Sequence, residues 1–189
     1  MFTDSVVDRH GQDIPMNDLC RLLSSVCLPM AGSRILELIQ NQTKLRFDHE
    51  EILIEMELCI SAIFKPFLHY LKRLVASPDH LTTVWMGMLN FMAQLLQQEA
   101  ANSPRSHKHP NKSPAAQLKA TKQLATEHLR NAIMILMSKG IVCNETSDEN
   151  EFSLKTWSAL ENMPSIKDLI PEWKHFSAGE KMLLEEAEA

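Results

Sequence analysis

Between Asp48 and Val75 the chain is apolar on almost every face of a helix. Ile52, Met56, Cys59 and Ile63 recur at helical spacing, while Leu53, Ile54, Leu58, Ile60 and Phe64 fill the remaining faces. A helix of this kind needs neighbours on two sides, because a single partner covers only one stripe. That requirement points to a helical bundle or to stacked helical repeats. Glu50 and Glu51 in the first turn complement the positive end of the helix dipole. Pro66 predicts a kink, since it has no N–H for the ladder, and Phe67, Leu71 and Leu74 resume the pattern.

The flanking segments supply candidate neighbours. Asn17 or Asp18 can cap a helix carrying Leu19, Leu22, Leu23 and Val26. Pro29 then predicts a kink or break, and Ser33 can restart the helix through Ile35, Leu36, Leu38 and Ile39. After the turn at Ser77, Pro78 and Asp79, the stretch LTTVWMGMLNFMAQLL places Leu81, Trp85, Met88, Met92 and Leu95 at alternating steps of four and three. Leu118, Ala125, Leu129, Ala132 and Leu136 form one stripe of a helix over 115–139, with Gly140 placed to stop it. Ile141 to Cys143 reads as a short extended piece before a polar, acidic loop. Phe152, Leu154, Trp157 and Leu160 then mark a short helix closed before Pro164, and Trp173 and Phe176 are the last aromatic anchors.

This organisation is all-α. Five glycines and a single tyrosine against eleven methionines leave few turn and strand formers. The expected architecture is an antiparallel helical repeat of about five helices, an α-solenoid of HEAT or armadillo type, or else a free-standing bundle. The domains read as a flexible N-terminus (1–16), a first helical part (17–99), a flexible linker (100–114), a second helical part (115–176) and an acidic tail (177–189). The linker, rich in Ser, Pro, Asn, Lys and His, offers no apolar anchor.

Several chemistries find no support in the pattern. A net charge of -5 argues against nucleic acid as a partner, because a basic face is needed to displace counterions from phosphates. The glycines at 11, 32, 87, 140 and 179 are scattered and build no phosphate loop. Cys20, Cys27, Cys59 and Cys143 form no CxxC pair and read as reduced, buried thiols. His107 and His109 lack a neighbouring carboxylate or cysteine, His69 lacks a placed nucleophile, and Glu50/Glu51 and Glu55/Glu57 read as solvated helix surface. No catalytic, cofactor or metal residue is therefore nominated, and no cofactor is expected. No signal peptide opens the chain and no uninterrupted apolar run reaches about 20 residues, so a cytoplasmic location, or a peripheral one on a membrane, is expected.

The candidate functional residues lie on the helix that begins at Leu81. Leu81, Trp85, Met88, Met92 and Leu95 are the expected core stripe, packed with Leu129, Ala132 and Leu136 of the fourth helix, and Trp157 belongs to the same core. Thr83, Gly87, Asn90, Gln94 and Gln97 make an uncharged opposite side on which another helix, another repeat or a membrane-bound partner can lie.

Three stretches carry a family resemblance. LTTVWMGMLNFM (Leu81–Met92), LRNAIMILMSKGIV (Leu129–Val142) and LKTW (Leu154–Trp157), the last followed by Leu160, Pro164 and the Asp168–Pro171 turn, resemble the far C-terminal helical region of the large Sec-seven exchange factors for Arf GTPases. The similarity is to the Golgi brefeldin-A-resistance factor and GNOM group, and it spans about residues 17–176. The family's catalytic domain carries a glutamate finger that no part of this sequence matches. The resemblance therefore implies a non-catalytic regulatory and membrane-targeting segment, acting in vesicle trafficking and peripheral on Golgi membranes. The implied partners are other domains of the parent exchange factor, Golgi membrane or membrane-bound proteins, with self-association as a further possibility. The alternative is a stand-alone helical adaptor or scaffold that binds a partner protein.

Overall fold

A computed structural model describes residues 14–40, 49–98, 114–143 and 150–174. Every regular element among them is helical: α1 (Met16–Arg21), a π-helical stretch (Leu22–Cys27), α2 (Leu28–Gln40), α3 (His49–His69), α4 (Leu71–Val75), α5 (Pro78–Gln97), α6 (Pro114–Ser138), α7 (Glu151–Glu161) and α8 (Pro164–Lys167). The expected flexible N-terminus up to Asp13, the linker up to Ser113, Phe176 and the acidic tail lie outside the described residues.

Both prolines sit inside helices. Pro29 does not break its helix, which runs continuously from α1 through the π stretch into α2. The Leu28 N–H donates to the Leu23 carbonyl, five residues back rather than four. A widened turn just ahead of a proline relieves the clash between its ring and the carbonyl four residues earlier, here that of Ser25. Pro66 sits inside α3, as its place in the apolar pattern predicts; it gives up its own ladder bond to the Ala62 carbonyl, while its carbonyl accepts the Tyr70 N–H at 3.0 Å. The break comes at Tyr70 (φ -91°, ψ 5°), after which α4 starts.

α3 lies between α2 and α6, packed along both, and so meets the need for two neighbours. α5 is the hub, touching α1, the π stretch, α2, α4, α6 and α7. One core joins these elements from Leu19 to Trp173, and a smaller cluster of Leu38, Ile52 and Met56 fills the α2–α3 seam. Each large apolar side chain in it contributes about 1.5–3 kcal/mol of burial. Gly32 lets α2 approach α5 closely, since a Cβ there would stand 2.9 Å from the Phe91 ring.

α6 ends as Gly140 requires. Its φ of 66° suits glycine, the Gly140 N–H bonds to the Met137 carbonyl at 2.9 Å and the Ile141 N–H to that of Leu136 at 2.9 Å. Ile141 to Cys143, expected to be extended, is a bend tied to α7. The Cys143 N–H donates to Ser153 Oγ at 2.9 Å, and the Cys143 carbonyl accepts from Trp157 Nε1 at 2.8 Å. Asn150 caps α7 by accepting the Ser153 N–H at 2.9 Å.

Candidate interaction site

The structure separates the two sides of α5. Leu81, Trp85, Met88, Met92 and Leu95 are buried, as are Leu129 and Leu136 on α6 and Trp157 on α7. The stripe does not face α6 alone. The Trp85 ring stacks on Phe67 of α3 with centroids 5.3 Å apart, and its Nε1 donates to Thr156 Oγ1 of α7 at 3.0 Å. On the opposite side Thr83, Asn90, Gln94 and Gln97 are exposed, and the Thr83 hydroxyl donates to the Asp79 carbonyl at 2.8 Å. Gly87 stands apart from that set: it is half-buried, and Leu28 of α2 lies 3.4 Å from where its Cβ would be.

A second face emerges that periodicity alone did not mark as a surface. Leu22, Val26, Met30 and Leu36 are exposed along the π stretch and α2, Met30 at 68 %. On α3, Ile54 (53 %) and Leu58 (63 %) lie one turn apart on its outer side. The sequence shows Ile54 and Leu58 as part of an all-round apolar helix. In the fold α2 and α6 cover two faces and leave this third one open.

An ion network joins the two helices through the middle of this face. Arg34 of α2 donates from Nε to Glu55 Oε1 of α3 at 2.6 Å and from Nη1 to Glu37 Oε2 at 2.8 Å, which raises its pKa further above the usual guanidinium value. Met30 is one turn before Arg34, and Leu58 is three residues after Glu55. Met30 and Leu58 are therefore each within one turn of the Arg34–Glu55 pair. Burial, reinforced by its nearness to Glu55 and opposed by Arg34, pushes the half-buried Cys59 thiol up.

Titratable groups elsewhere are taken up by packing. His128 of α6 stacks on Phe64 of α3 with ring centroids 5.8 Å apart, and desolvation lowers its pKa. His69 lies edge-on to Tyr70 at 4.8 Å. Arg73 donates to the Ile14 carbonyl, tying α4 to the start of α1. His80 adds a second tie there, with Nε2 2.7 Å from Asn17 Oδ1 and Nδ1 2.6 Å from Ser77 Oγ. Among the described residues no group of three or more His, Cys, Asp or Glu side chains is placed to hold a metal.

By length and composition the helix Met16–Ile39 is apolar enough to cross a bilayer. Leu19, Leu23, Ile35 and Leu38 of that helix are buried in the core, while Leu22, Val26, Met30 and Leu36 are exposed.

Residues 4–165 match the family model described as "GBF1-like, tetratrico peptide repeat region". The repeat named there is of tetratricopeptide type, whereas the apolar pattern suggested a HEAT or armadillo type. No curated protein and no solved structure matches the chain.

Proposed function

We infer function from a premise that the match establishes: the chain belongs to the GBF1-like tetratricopeptide repeat region family. That family is a helical repeat region and not a catalytic Sec-seven domain. We propose that the chain is a non-catalytic regulatory and targeting module of a large Arf exchange factor, one that brings the exchange activity to Golgi membranes by docking on a membrane-bound protein.

The observation that carries this reading is the match over residues 4–165 to a GBF1-like repeat region, which supports reading the helices as part of an Arf exchange factor. The helical scaffold agrees with it. Its core is closed around Trp85 and Trp157, and its two open faces present apolar and uncharged polar side chains suited to protein contact.

The test is imaging of the whole chain fused to a fluorescent protein in cells with a Golgi marker. Concentration of the fusion on the Golgi is the expected result. A uniformly cytoplasmic fusion of normal stability contradicts the targeting role.

A further inference from the structure

We propose that the outer face of the α2–α3 pair docks a cationic amphipathic helix. The inference goes beyond the targeting role above and does not depend on where in the cell the chain acts.

Shape supplies the first argument. Met30 and Leu58 stand exposed, each within one turn of the Arg34–Glu55 ion pair that joins their helices, with Leu22 and Val26 extending the apolar row along one helix and Ile54 along the other. Two packed helices with such residues form a shallow groove. A third helix fills a groove of this kind by placing apolar residues at steps of three and four, as an added element of a helical repeat does. The row from Leu22 to Met30 is about 12 Å long at the helical rise, enough for about two turns of a partner.

Charge selects the occupant. The groove between α2 and α3 is lined by Glu37, Glu55 and Glu57, with Arg34 the cation bonded to two of them. Glu37 of α2 shares Arg34 with Glu55, so two carboxylates meet one guanidinium in the middle of the groove. Glu57 stands exposed on the far side of Leu58. Such a rim attracts lysine and arginine flanking an apolar stripe. It repels the anionic headgroups of a cytoplasmic leaflet. A second copy joined by two-fold symmetry sets the same carboxylates against one another, which disfavours it too.

The experiment uses the whole chain and two synthetic peptides of about five helical turns with the same leucine stripe, flanked in one by lysine and arginine and in the other by glutamate. Fluorescence anisotropy is expected to show the cationic peptide bound at least tenfold more tightly than the acidic one, and more weakly as salt is raised. The double variant Met30→Ser, Leu58→Ser is expected to weaken that binding at least tenfold while its melting temperature matches the parent, because both side chains are exposed. Asn90→Ser with Gln94→Ser, on α5, is the control expected to bind as the parent does. The proposal is overturned if neither peptide binds, if both bind alike, or if the Met30/Leu58 variant binds as the parent does. It is equally overturned if that variant instead abolishes flotation with lipid vesicles or a dimer seen by light scattering.

Discussion

Trp85 has two attachments that a smaller side chain loses together: its stack on Phe67 and its bond to Thr156. Trp85→Ala is therefore expected to cost about 3–5 kcal/mol in urea unfolding. Trp85→Phe keeps most of the ring but leaves the bond unmade, and costs less. Unchanged unfolding of Trp85→Ala would remove α5 from the core. His128 makes a pH prediction. Desolvation holds its folded-state pKa below the unfolded value of about 6.5. The unfolded chain then binds the proton more readily, so the stability tied to the neutral ring is present above that value and is lost as pH falls through it. His128→Leu is expected to flatten the fall in melting temperature from pH 7 toward pH 5, and an equally steep fall in the variant would show that His128 does not cause it. At this scale the sequence was legible where spacing decides the matter, as for Trp85 and Leu129. It was silent on Ile54 and Leu58, because periodicity identifies an apolar side chain but not whether a neighbour reaches it.

The elements were legible in type more than in their joints. Gly140 stopped α6 where a positive φ was needed, and the turn at Ser77 and Pro78 opened α5. At Pro29 a break was one of two answers that local chemistry gives to a missing N–H: the helix breaks, or its ladder widens and continues, as it does here. Packing of Leu23 on one side of Pro29 and of Ala31 and Ile35 on the other favours continuity. The α2–α5 contact yields a paired prediction from two glycines. Gly87→Ala places its methyl at ordinary contact distance from Leu28 and is expected to stabilise by up to about 1 kcal/mol through helix propensity. Gly32→Ala pushes its methyl to 2.9 Å from the Phe91 ring and is expected to lower the melting temperature. Equal melting shifts in the two variants would contradict the close approach of α2 to α5.

Among the described residues, helices enclose a core and leave open a polar face on α5 and an apolar one on α2–α3 that holds the Arg34, Glu37 and Glu55 network. The first was nominated from its lack of charge. The second needed the fold, since it joins residues more than twenty positions apart in the chain, such as Arg34 and Glu55. Asn90→Lys with Gln94→Lys changes exposed side chains only. It is expected to leave stability within about 0.5 kcal/mol and to weaken Golgi concentration of the tagged chain. Targeting that persists unchanged would release the α5 face from that role. The central claim is that these helices serve an Arf exchange factor without carrying its chemistry. The most direct measurement is fluorescent-nucleotide release from a purified Arf GTPase with and without the whole chain. Release at the spontaneous rate is the predicted result, and an acceleration of tenfold or more would contradict the account.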